Sequence, residues 1–165
     1  MPTLDRVRIS LLDAAVALVV LGLVALSVVH FGVGGAAAPA VLASPTLTPG
    51  SLNPDVTQGT VGQTICVRGW TATVRPPTDY TNRLKAEQMP QYAETGPPSD
   101  YQEDHLISLE LGGNPTDPKN LWPEPYPRAS EVDRIENQLN DKVCSGELTL
   151  AEAQRQESAL KHEHG

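Results

Sequence analysis

The stretch Tyr101-Gln102-Glu103-Asp104-His105-Leu106-Ile107-Ser108-Leu109-Glu110-Leu111-Gly112-Gly113 constrains the fold of this chain more than any other. An acidic pair stands directly before a histidine. The run then alternates, with Leu106, Ser108 and Glu110 on one face of an extended chain and Ile107, Leu109 and Leu111 on the other. Gly112-Gly113 breaks it with a turn that tolerates positive φ. Asn114-Pro115-Thr116-Asp117-Pro118-Lys119 is a turn-rich loop, and from Asn120 the chain is extended again, with Pro123, Pro125 and Pro127 at alternate positions. The pattern predicts a strand over 101–111, a loop, and a second short extended segment. Trp122 and Tyr126 are the expected apolar plugs behind the strand.

His105 is the only histidine outside the apolar N-terminal stretch and the last four residues. In a regular strand Glu103 shares its face, whereas Asp104 points the other way. A bend is therefore required if Asp104 and His105 are to serve one ion.

On either side of this stretch the chain reads as a small α+β domain. Thr64 to Val74 is rich in β-branched residues and predicts one or two strands. A helix is predicted over 80–89, capped by Thr78 or Asp79 and stopped by Pro90. A second, over 131–144, has Ser130 as N-cap and buries Val132, Ile135, Leu139 and Val143 at helical spacing. A last helix, over 151–161, is capped by Thr149 and expected to fray at its end.

Arg6 and Arg8 followed by an uncharged apolar run and a small-residue exit make 1–43 a signal peptide or, uncleaved, an N-terminal anchor. The apolar run is close to the lower limit of ~17 residues for a membrane span. Either way the remainder is expected outside the cytoplasm, with membrane contact only through an uncleaved leader. Residues 44–56 read as a Pro/Thr/Gly-rich linker and 57–165 as the domain, expected to be monomeric. Cys66 and Cys144 form an even pair in an oxidising compartment, which reads as a disulfide; two buried thiols or a metal pair are the alternatives. The formal net charge of −8 disfavours tight nucleic-acid binding, because phosphate backbones select basic surfaces. It leaves open an enzyme that engages phosphate through an ion.

Asp104-His105, the apolar strand, Gly112-Gly113, the polar loop and Asn120-Leu121 resemble the centre of the HNH (ββα-metal, His-Me finger) nuclease motif, over roughly 101–144. The resemblance implies His105 as the general base, Asp104 as a ligand of a divalent metal, and Asn120 as the residue that fixes the loop and orients the histidine. It also implies a further metal ligand on the following helix, where Asn137 and Asn140 share a face and are the candidates. These residues also read as a solvated helix face. One carboxylate with neutral amides suits Mg²⁺ or Mn²⁺ better than Zn²⁺. The flanking Ile65-Cys66-Val67 and Val143-Cys144-Ser145-Gly146-Glu147-Leu148-Thr149-Leu150 resemble a group of small exported bacterial proteins with the same Asp-His … Asn-Leu-Trp-Pro centre. That likeness implies a compact domain stapled by the two cysteines and supplies no activity. The expected function is metal-dependent phosphodiester hydrolysis; a non-catalytic exported binding or structural domain on the same scaffold is the alternative.

Overall fold

The computed structural model describes residues 41–164, so the leader expected over 1–43 lies outside them but for its last three residues. The described elements are α1 (Trp70–Val74), α2 (Thr78–Gln88), β1 (Tyr101–His105), β2 (Leu121–Pro125), α3 (Arg128–Cys144) and α4 (Leu150–Glu163), joined by short 3₁₀ turns. This is a small mixed α+β domain. None of the described helices is long and apolar enough to cross a membrane.

β1 and β2 form a two-stranded antiparallel sheet, with Asp104 opposite Trp122 and His105 opposite Leu121. The prolines are tolerated for a simple reason. The Tyr126 amide donates back to Asp100, so by strand alternation the even-numbered residues of β2 face β1, and Pro123 and Pro125 fall on the open edge. Trp122 is fully buried and packs against Tyr92, Leu106 and Ala43. Tyr126, expected as a second plug, is 47% exposed and donates its hydroxyl to Gln102 instead.

β1 is shorter than its sequence pattern. It ends at His105, and the residues that alternate in sequence do not alternate in burial: Leu106, Ile107, Ser108, Leu109 and Leu111 are all inside. Asn120 takes over from the ladder. Its side-chain amide accepts from the Ile107 N–H (3.0 Å) and donates to the Ile107 carbonyl (3.0 Å), as a partner strand would. The chain then turns through 3₁₀ Leu109–Leu111 to Gly112, at φ 76°. A side chain at Gly113 would overlap the Ile107 carbonyl, so this pair is held by close packing as well as by turn geometry.

The strands expected over 64–74 are absent among the described residues; turns and then the helix α1 stand there, after a 3₁₀ turn at Val61–Gln63. The threonines explain the difference, because their hydroxyls bond the local backbone, Thr64 to the Thr60 carbonyl and Thr73 to that of Trp70. Residues 44–56 are not a linker either. Thr48 is fully buried against the Tyr92 hydroxyl (2.6 Å), Leu52 bridges to Gly113, and the Asn114 amide donates to the Ser51 carbonyl. The polar, turn-forming composition of this segment satisfies the backbone of the 112–119 loop.

The helices are closer to expectation. α2 runs from Thr78 to Gln88 where 80–89 was predicted, so Thr78 and Asp79, the expected caps, stand inside it behind Pro77. α3 buries Val132, Leu139 and Val143 as its stripe predicts but starts at Arg128, so Ser130 is inside the helix instead of capping it. α4 carries the expected cap, extended to a reciprocal capping box between Thr149 and Glu152. Its end is anchored where fraying was expected, since Lys161 is fully buried. Ile107 and Leu111 join Leu139, Val143, Leu150 and Ala153 in the main core, each aliphatic side chain worth about 1.5–3 kcal/mol when fully buried. Cys66 and Cys144 form a disulfide that ties the 57–74 region to the end of α3, with Cα atoms 5.5 Å apart. Closing a loop of 78 residues stabilises the domain by roughly 4–5 kcal/mol in the chain-entropy model.

Candidate metal centre and general base

Where β1 ends and α3 begins to run past it, a cavity of about 300 Å³ opens, lined by Arg75, Gln102, Asp104, His105, Ser108, Leu109, Glu110, Asp133, Glu136 and Asn137. Asp104 and His105 are neighbours on a strand, yet both line it, because the ladder stops at His105 and the backbone leaves the sheet there. This is the bend that a shared site requires.

His105 is nearly buried, and its Nε2 lies 3.1 Å from the Pro115 carbonyl. A carbonyl only accepts, so Nε2 carries the proton and Nδ1 is left with the lone pair. Burial lowers the basicity of the ring below the ordinary histidine value, against the opposing pull of the Asp104 carboxylate and the Pro115 contact. Asn120 sits behind the site, fully buried. Beyond its two bonds to Ile107 it donates to the Asn114 carbonyl (3.0 Å), next to Pro115. The loop that orients His105 is thus tied to the strand that carries it.

Three carboxylates converge on the cavity. Asp104, Asp133 and Glu136 each offer an oxygen within 4.8 Å of the others'. Of the helix residues expected from the sequence, Asn137 lines the cavity, at its exposed edge, with its amide turned to the Asp133 carbonyl (2.6 Å). Asn140 does not. It donates to the Glu110 carbonyl (2.7 Å) and the Ile65 carbonyl (3.4 Å), fastening α3 to the rest of the fold. Asp133 and Glu136 take the places expected of the two amides. Their signal was present in the sequence: they stand three apart on the helix, and Glu136 interrupts the apolar stripe between Val132 and Leu139.

Lys161 is the residue the sequence concealed. Its ammonium reaches from α4 to Asp104 Oδ2 (2.7 Å), Glu136 Oε1 (2.6 Å) and the His105 carbonyl, with Glu157 at 3.8 Å. In sequence it looks like the outer half of an i,i+4 surface pair with Glu157; in the fold both residues have no exposure at all. Burial alone would raise the Asp104 pKa, but the Lys161 charge together with hydrogen bonds from Glu124 and Lys161 outweighs it and holds the carboxyl below the ordinary range. Glu136 is pushed up to about 7, burial prevailing over the same lysine. Glu124, opposite Gln102 on β2, is pushed up to about 9 by burial and by repulsion from Asp104. It is therefore protonated at neutral pH and can donate to Asp104, which gives a partner to one of its two otherwise unpartnered buried oxygens.

Comparison with protein families, with characterised proteins and with solved structures finds no match to this chain. The chemistry must be read from the site. A buried imidazole with a bare Nδ1 can take a proton, and the three carboxylates that line the same cavity offer all-oxygen ligation to a hard divalent ion.

Proposed function

We propose that this protein is an exported, monomeric, metal-dependent phosphodiester hydrolase of the HNH kind. The observation that carries this reading is the pairing, in one cavity, of a histidine whose Nε2 is committed to the Pro115 carbonyl with the carboxylate group Asp104, Asp133 and Glu136. The disulfide is compatible with an oxidising compartment outside the cytoplasm.

His105 acts as general base, accepting at Nδ1 a proton from the attacking water. The water oxygen forms its bond to phosphorus as the bond to the leaving ester oxygen breaks, and that oxygen takes a proton from solvent. Asp104, Asp133 and Glu136 would hold Mg²⁺ or Mn²⁺, with Asn137 at the rim. Bound there, the ion supplies Lewis-acid stabilisation of the charge that develops on the phosphate. Asn120 keeps the imidazole in its tautomer through the loop. With a net charge of −8, the substrate is a small or single-stranded phosphodiester met at the cavity, not a duplex gripped along its backbone.

A second reading, a non-catalytic exported domain, is favoured by one observation: two of the three carboxylates, Asp104 and Glu136, are already ion-paired to Lys161. Cleavage of single- and double-stranded DNA and RNA by the oxidised protein with Mg²⁺ or Mn²⁺ separates the two, with His105→Ala as the contamination control. Metal-dependent cleavage lost in the variant supports the hydrolase. A folded, oxidised protein that cleaves nothing supports the binding domain.

A further inference from the structure

We propose that Lys161 is a positioning residue of this site: from the C-terminal helix it fixes the bend after β1 that brings Asp104 and His105 into one cavity. The inference rests on the reading of His105 as the proton acceptor, and it concerns a residue well outside the 101–144 stretch.

The geometry is specific. An ammonium has three protons, and Lys161 gives them to three acceptors, the carboxylates of Asp104 and Glu136 and the backbone carbonyl of His105. Two of these acceptors belong to consecutive residues at the last two positions of β1, one through its side chain and one through its main chain. The grip falls where strand alternation would otherwise send the side chains apart. The third acceptor is on α3, so the same nitrogen sets the distance between the strand and the helix that carries the other carboxylates. Glu157, one turn earlier on α4, reinforces the hold by accepting from the Ser108 N–H (2.9 Å), three residues beyond His105. Lys161 has no surface in solvent and no place in the cavity wall. It therefore touches no substrate and acts only through the groups it holds.

A stabilising lysine and a positioning lysine differ in what happens to the His105 ring. The test is ¹⁵N-histidine NMR of the oxidised full chain, which has four imidazoles, with His105 assigned by its loss in His105→Ala. In the native protein His105 shows one protonated and one bare ring nitrogen with a large shift difference, the Nε2–H tautomer. In Lys161→Met this difference collapses toward the average of exchanging tautomers, as the bend relaxes and the Pro115 contact is lost. Val143→Ala, a core cavity in the main cluster, weakens the fold without touching the site and keeps the native pattern. Should Lys161→Met fail to fold, Lys161→Gln, which keeps two N–H donors without the charge, carries the same reading. A native tautomer retained in the folded lysine variant overturns the proposal, as does its loss in Val143→Ala or its absence from the unaltered protein. None of these outcomes depends on cleavage. A protein that hydrolyses nothing removes the hydrolase reading, while the imidazole spectrum still decides the role of Lys161.

Discussion

The two sides of the cavity are built on different principles. The β1–loop–β2 side holds His105 by neutral hydrogen bonds that substitute for a sheet: Asn120 mimics a strand partner, and Gly113 lets the backbones approach. The helical side holds Asp104 and Glu136 by a buried charge from α4. The first arrangement is local, spanning some twenty residues, and costs little to desolvate. The second joins residues far apart in the chain and depends on every charge having its partner, because a buried ion left alone is expensive. The comparison teaches that the site joins an inexpensive local half to a costly distant one, with Lys161 gripping the last residues of β1 as the link between them.

Removing the ammonium is the sharpest way to break that contrast. Lys161→Met leaves Asp104 and Glu136 without their partner and is expected to cost about 3–5 kcal/mol, read as a lower denaturant midpoint with an unchanged slope. Asn120→Ala removes the substitute ladder and strands the Ile107 amide and carbonyl in the interior. It should cost less, about 1–3 kcal/mol, by the same measurement. If the asparagine proves the costlier of the two, the neutral side is the keystone and the contrast is reversed.

This difference also decides what could be read in the sequence. Elements that depend on neighbours in the chain were legible: the α3 stripe Val132, Leu139 and Val143, the Thr149 cap, and the grouping of Asp104, His105 and Asn120. The elements that depend on distant partners were not. Residues 44–56 look like a linker until the 112–119 loop is there to accept their hydrogen bonds, and 64–74 looks like strand although it has no strand to pair with. Asn140 shares a face with Asn137, but only the position of the Glu110 carbonyl shows that it is structural. Lys161 was invisible, because nothing in a Glu-x-x-x-Lys helix distinguishes a solvated pair from a buried one.

Acidity provides a milder probe. Burial pushes Glu103 up to about 8 from its ordinary 4.5, the nearby Lys85 opposing. The folded state thus keeps a proton that the unfolded chain releases, and the stability this group contributes is full below pH 4.5 and lost as pH rises through about 8. Asp104 has the opposite sign, since its pKa is lowered: its contribution is present above its ordinary 3.8 and lost as pH falls below that. Stability should therefore decline between pH 5 and 8, and Glu103→Gln should make that decline shallower. An unchanged slope would show that Glu103 is ionised in the fold.

The central claim, that the cavity gathers a base and a divalent-ion site, is tested most directly by titrating the oxidised protein with Mn²⁺ and following free ion by electron paramagnetic resonance. Asp133 lines the cavity but takes no part in the Lys161 contacts, so Asp133→Asn should leave the fold intact. One Mn²⁺ per chain is expected to bind the native protein and to be lost in Asp133→Asn with melting unchanged. A native protein that leaves all Mn²⁺ free, or a variant that binds it equally well, would show that the cavity holds no divalent-ion site of this kind.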